Sequence, residues 1–327
     1  MRQSLLEVCE AQIRNETALR KADRFEFEVL IKFGAFMHVS AGYEIDVQRI
    51  KACKLVLQDR ALIFARFREP LKYVLQMKMA LSDDPAAFIE DVLAVYEQLR
   101  EGGMPPSEVL AMVAVAIVEN CPMDQRDTVV EKTIAEYGKV KGLSEPLANG
   151  PDMLLIVLAV LADREIDQVA GEVAELFREL KGKYRLESNA ALYIAMVLAF
   201  CSKPVDSKVA DFFRLFDACD GAGHATSADN LMVAYAVFAD SEYDLGELVA
   251  AIGEVDEWLK KKKGYGTFGI GGHGRSLFAA LLAFEDIEDD RIVVAPENAN
   301  AADALVEEPT LILTMLILVF VVASKAR

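Results

Sequence analysis

The sequence is short of proline, histidine and positive charge. Ten prolines in 327 residues leave long stretches free to stay helical, because proline inside a helix removes a hydrogen bond and clashes with the preceding turn. Three histidines, His38, His224 and His273, leave little material for a histidine-ligated metal or a nucleophile–base pair. The five cysteines (Cys9, Cys53, Cys121, Cys201 and Cys219) are odd in number and scattered, with no CxxC. That excludes a disulfide framework and a structural zinc site, and reduced thiols in a cytoplasmic protein are expected. Lys and Arg number 35 against 52 Asp and Glu, a net charge of −17. General nucleic-acid binding, which depends on neutralising phosphates, is therefore not expected. Met1 to Lys21 is mixed and charged, without the apolar core of a signal peptide. Alternation at period two is missing apart from a brief Ile292 to Ala295, so strands are not expected. Neither GxSxG nor HExxH occurs.

Apolar material is plentiful. Hydrophobic residues make up 53% and the mean hydropathy is +0.22, enough for a large core and too much for disorder. Much of it recurs in five segments of one pattern: an amphipathic helix, a glycine-containing break, then a small or polar residue opening a nearly all-apolar helix. The second helices start at Ser107, Pro151, Ser188, Ser227 and His273, separated by 44, 37, 39 and 46 residues. Four residues on stand Ala111, Leu155, Leu192, Leu231 and Leu277. Seven on stand Ala114, Leu158, Ala195, Ala234 and Ala280. Eleven on stand Val118, Ala162, Ala199, Phe238 and Phe284. Those spacings mark one helical face. The first helices carry Leu93/Tyr96/Leu99, Ile134/Tyr137/Val140, Phe177/Leu180 and Phe212/Phe213/Phe216. Glycines follow them (Gly102 and Gly103, Gly142, Gly182, Gly221 and Gly223, Gly264) and suit helix stops. A helix apolar all round belongs between neighbours, so the second helices should be buried.

Residues 1–79 read as an irregular helical cap, with helices over Leu5–Leu19, Phe25–Val39 and Val47–Leu57 and Asp46 capping the third. Five helix pairs follow over 80–284, then an acidic and polar linker over 285–308. Thr310 to Ala323 is fourteen residues without a charge, behind Glu307, Glu308 and Pro309. A spanning helix needs roughly 20 apolar residues. Burial on the same domain is the first expectation for 309–327, ahead of membrane contact and partner docking.

Three stretches are similar to segments of one known family. Ile50-Lys51 through Arg60-Ala-Leu-Ile-Phe-Ala-Arg-Phe67 looks like its "IK…FSxFR" segment. Tyr96-Glu-Gln-Leu99 with Gly102-Gly103 is similar to its "YxxLKxxG" segment. Tyr137 to Asp152 resembles a segment that carries a His-Pro-Phe-Leu-Thr run; here Gly142-Leu143 and Pro146-Leu147 stand instead and the histidine is missing. On these segments the chain resembles a bacterial family catalogued as a domain of unknown function, number four thousand and three, over roughly Phe25 to Phe284. The resemblance implies an all-helical protein ending in an apolar helix and brings no activity, cofactor or catalytic residue.

Five constellations invite a chemical reading. Gly264-Tyr-Gly266-Thr-Phe-Gly269 is a literal GxGxxG. A dinucleotide fingerprint must follow a strand and open a helix, whereas this one follows the helical Trp258-Leu-Lys-Lys-Lys-Lys263. An inter-helix loop is expected, with a ligand-facing loop as the alternative. Glu108, Asp152, Asn189, Asp229, His273 and Arg275 all stand near the starts of second helices. Capping explains most of them, but in a stacked array they would share one end and form a binding site. His273 and Arg275 are not favoured caps, and Arg at a helix start suits an anion. Cys219 and His224 with Asp217 and Asp220 lack the paired spacing of a zinc site. Asp83-Asp84 and Glu288-Asp289-Asp290 suit helix starts or solvated faces better than magnesium. Finally, Lys260, Lys261, Lys262 and Lys263 form a basic run suited to a helix C-terminus or to an anionic partner or lipid surface.

The expected fold is all-α, tandem helix hairpins in an α/α superhelix, with a closed α/α toroid as the alternative. The first functional expectation is a protein- or peptide-binding module. A toroid enzyme with Asp152, Asn189, Asp229, His273 and Arg275 at one mouth is the second. A peripheral membrane protein using 310–323 and the lysine run is the third. No cofactor and no metal are expected.

Overall fold

A computed structural model describes residues 1–22, 26–59, 69–140, 152–184, 186, 188–201, 204–224, 235–236 and 244–289. Among the described residues there are thirteen α-helices and no strand. They are α1 (Gln3–Ala22), α2 (Glu28–Ser40), α3 (Val47–Asp59), α4 (Glu69–Leu81), α5 (Pro85–Glu101), α6 (Glu108–Asn120), α7 (Arg126–Val140), α8 (Asp152–Leu161), α9 (Ile166–Tyr184), α10 (Ser188–Ala199), α11 (Val205–Gly221), α12 (Leu245–Leu259) and α13 (Gly271–Asp289). The all-α expectation therefore holds. The fourth near-apolar segment, from Ser227, and the run 310–323 lie largely or wholly outside the described residues.

The helix starts follow local chemistry. Ser107 accepts from the Leu110 amide at 3.0 Å, so α6 has the cap its sequence announces. Asp84 accepts from the amides of Ala86 and Ala87, with Pro85 at the first helical position. Asp244 accepts from the Glu247 amide at 2.9 Å, and Asp46 from the Gln48 amide at 2.8 Å. Asp84 thus spends its carboxylate on a helix start.

Stops are more varied than the glycines suggest. Gly103, at φ +92°, lets the Met104 amide reach back to the Leu99 carbonyl, the six-residue closure that ends α5. The end of α8 uses the same closure, Arg164 to Ala159, with Asp163 in the left-handed place at φ +49°. Gly182 does not stop a helix: α9 runs through it to Tyr184. Gly142 lies outside the described residues.

The chain divides into two compact units, one built mainly from Met1–Gln48 and Leu176–Asn298, the other mainly from Arg49–Glu175. In the second, α5 packs on α6 and α7 on α8, while α6 also packs on α8 and α5 on α7. Two consecutive hairpins therefore lie side by side in two layers. Leu110 to Val118 of α6 and Met153 to Ala159 of α8 are buried without interruption, which is where their uniform apolarity goes. Each fully buried Leu, Ile or Val contributes about 1.5–3 kcal/mol relative to exposure. The two hairpins also meet closely at Gly102, where an added Cβ would fall 2.3 Å from Ile134 Cδ1.

In the first unit, α1 and α2 form a hairpin, α12 and α13 form another, and α1 and α2 both pack on α13. Phe33 and Phe278 meet at 5.0 Å between ring centroids in that contact. No described helix is long and apolar enough to cross a membrane.

Candidate functional site

The first unit places its chemistry where the α12–α13 connection meets the α1–α2 hairpin. Lys260 to Ile270 joins the two helices and contains all of GxGxxG. A helix precedes it, so the geometry is a turn between helices rather than a nucleotide cradle. Gly264 sits at φ +85°, and its carbonyl accepts from the Ile270 amide at 3.0 Å. Gly266 accepts from the amides of Gly269 and Gly271. A Cβ on Gly269 would fall 2.0 Å from the Gly264 carbonyl oxygen, so the loop closes on itself only with hydrogen at that position.

Tyr265 anchors this loop. Its side chain has no solvent exposure, and its Oη donates to Glu16 Oε1 at 2.5 Å. Lys32, equally enclosed, donates from Nζ to Glu16 Oε2 at 2.8 Å and stands 3.6 Å from the centroid of the Tyr265 ring. Gln12 donates to Glu16 Oε1 at 3.2 Å and to the Lys32 carbonyl at 3.0 Å. Phe278 meets the Tyr265 ring edge-on at 6.2 Å. One step towards solvent, Arg20 holds Glu28 through its two terminal guanidinium nitrogens, at 2.5 and 2.6 Å. A Cβ on Gly264 would meet Glu28 Oε2 at 2.7 Å and Lys32 Nζ at 3.2 Å.

Electrostatics agrees with an anchor. Burial, and then the Glu16 charge, push the Tyr265 hydroxyl well above its ordinary value, so it stays protonated and donates. Burial pulls the Lys32 ammonium below its ordinary value, against the Glu16 charge that favours it. The Arg20 hydrogen bond holds the Glu28 carboxyl below the usual range. An amine and a phenol flanking a carboxylate have acid–base capacity, but all three are sealed beneath the loop. What the cluster does in this state is fix the loop's position.

The loop is fixed on its inner side and bare on its outer side. Phe268, three residues after Tyr265, has a relative exposure of 107%. Lys260, Lys261 and Lys263 are exposed. Lys260 pairs with Glu257 at 3.0 Å, and Lys262 folds over the Trp258 ring at 3.9 Å.

The residues read from the sequence as a polar end have mixed placements. Arg275 donates to Asp256 Oδ1 at 2.9 Å, and Ser276 donates to the same oxygen. Its guanidinium thus holds α13 to α12. His273 is exposed on the first turn of α13. Asp152 and Asn189 stand in the first turns of α8 and α10, with side chains outside the described residues, and Asp229 lies outside altogether. Glu108 is the first residue of α6, beside the Ser107 cap. Cys219 is buried, where burial pushes its thiol up to about 11. Among the described residues no group of three or more His, Cys, Asp and Glu is placed to hold a metal ion.

Sequence reasoning passed over Gln12, Glu16 and Lys32. A signal was present: residues 5, 9, 12, 16 and 19 form one stripe at helical spacing, and Gln12 and Glu16 interrupt its apolar run. Lys32 likewise stands inside an apolar stretch of α2.

Comparison with known proteins adds membership. Residues 17–308 match a family described as "Protein of unknown function (DUF4003)". The chain belongs to it. The match contains every residue of the DUF4003 anchor except Gln12 and Glu16, which lie just before it. It ends at 308, before the apolar run 310–323. No curated protein and no solved structure matches the chain.

Proposed function

We propose that this DUF4003 chain is a binding module whose contact element is the loop Lys260–Ile270. The observation that carries the reading is the contrast within four residues: Tyr265 wholly buried, Phe268 wholly exposed. A loop held by a buried donor network presents its tip without an ordering cost at the moment of contact, which is what preorganised recognition loops do. An aromatic ring left in water costs free energy that contact with a partner recovers. The side-by-side hairpins α5–α6 and α7–α8 support a stacked array, an open α/α superhelix, as the scaffold.

A photoreactive phenylalanine analogue at position 268 tests this in growing cells. Irradiation should give adducts at 268 and not at Leu55, an equally apolar position with a relative exposure of 66% in the other unit. Equal labelling at both positions, or none at 268, would overturn the reading.

A further inference from the structure

We infer that the partner of the loop is an anionic lipid surface, an assignment that rests on the binding-module reading. Two exposed aromatic residues stand on segments that meet at the Glu28–Gly264 contact. Phe268 is at the loop tip, and Phe27, with a relative exposure of 67%, directly precedes Glu28. The Glu28 carboxylate lies against Gly264, where an added Cβ would meet it at 2.7 Å, so residue 27 stands beside the loop. Lys263 is close enough to Glu28 to help hold that carboxyl below its ordinary range.

The charge of this patch runs against the chain. The protein carries −17, while Lys260, Lys261 and Lys263 are exposed on the same connection as Phe268. Lys261 and Lys263 have no ion-pair partner within 4.0 Å among the described residues, which leaves their ammonium groups for an external anion. Lysines beside exposed aromatic rings match the two layers of an anionic membrane face: ammonium at the headgroups, ring at the acyl boundary. Shape separates lipid from protein. A stable protein interface buries roughly 1,200–2,000 Å² in total. Two separate rings, one on the loop and one before α2, offer little of that to a folded partner, whereas a bilayer surrounds projecting side chains from every side. The remaining acidic surface is repelled by such a membrane, so contact is restricted to this face and weakens as salt screens it.

Vesicle flotation of the full chain tests the assignment. The probes are vesicles of phosphatidylcholine alone and of phosphatidylcholine with roughly one third phosphatidylserine. Expected is binding to the second kind, released by salt. The pair Phe27→Ser and Phe268→Ser, and separately Lys261→Gln with Lys263→Gln, should each lower vesicle affinity at least about tenfold. All four side chains are exposed, so unchanged urea midpoints check that the fold is intact. No binding to phosphatidylserine vesicles overturns the assignment. So does binding that the loop variants leave unchanged, which would place contact elsewhere, for instance in 310–323. If vesicles fail while crosslinks from position 268 lead to a polypeptide, the binding-module reading stands and the lipid assignment falls. If both fail, both fall.

Discussion

Tyr265 and Glu16, 249 positions apart in the chain, meet in a hydrogen bond of 2.5 Å that no water reaches. The contact ties the loop after α12 to the first helix and makes a distant pair the fastener of the first unit. Glu16 also accepts from Lys32 and Gln12 and pairs with Arg20 at 3.6 Å, so four neighbours share its carboxylate. Partial removal should therefore be graded. Tyr265→Phe deletes one donor and should cost about 1–3 kcal/mol in urea unfolding. Lys32→Met removes the nearer of the two cations on that carboxylate, Arg20 staying 3.6 Å away, and should cost about 1–3 kcal/mol. Adding Glu16→Gln to Lys32→Met should recover part of that loss, because the carboxylate left short of its nearer cation disappears. Additive losses in the double variant would show that the pair is not coupled.

Thiol chemistry gives an independent check on the packing. All five cysteines are buried, and burial pushes the Cys9 thiol up to about 12 and Cys219 up to about 11. The thiolate is the reactive form, so the folded protein should resist an aromatic disulfide reagent at pH 8. The same reagent should titrate five thiols in denaturant. Rapid labelling of one cysteine in the native state would show that its helix opens easily.

The sequence was most legible where burial is uniform. Leu110 to Val118 and Met153 to Ala159 announce buried helices, since an all-round apolar helix has no other stable place. Ser107 and Asp84 announce their caps through local hydrogen bonding. The anchor was not legible, because it joins α1, α2 and the α12–α13 loop, and periodicity reports a residue's face without naming its neighbour. GxGxxG caught the eye for its glycines. Its decisive residues are the two aromatic side chains between them, one turned in and one turned out. Gly182 misled for a similar reason: a glycine in a last turn is tolerated when helix packing on either side continues, as Leu180 does at 0% exposure.

Left-handed positions at helix ends predict opposite responses to substitution. Gly103, at φ +92°, has nothing within 4 Å of an added Cβ, so Gly103→Ala tests backbone strain alone. It should destabilise by about 1–2 kcal/mol. Asp163 already carries that strain at φ +49°, and its pairing with Lys132 at 3.7 Å is exposed and worth little. Asp163→Gly should raise stability, by up to about 1 kcal/mol. A loss on Asp163→Gly would mean that its carboxylate matters more than its backbone.

Acid should loosen the outer half of the anchor through Glu28. The Arg20 hydrogen bond holds this carboxyl below its ordinary 4.5, with the charges of Arg20, Lys32 and Lys263 adding to it and burial opposing. In the unfolded chain those partners are gone and the carboxyl returns to about the usual carboxylate value. As pH falls below that value, the unfolded chain takes up a proton that the folded chain refuses, so the balance shifts towards unfolding. The contribution of Glu28 is thus fully present above pH 4.5 and is lost as pH falls through the folded value. Glu28→Gln removes the titrating group while keeping its size. Urea midpoints followed from about pH 7 down to about pH 3 should fall less steeply in Glu28→Gln than in the parent protein. The two should converge at the acid end, where the parent carboxyl is protonated too. Parallel curves would show that Glu28 titrates alike in the folded and unfolded chains, and the Arg20 pair would then add nothing to acid stability.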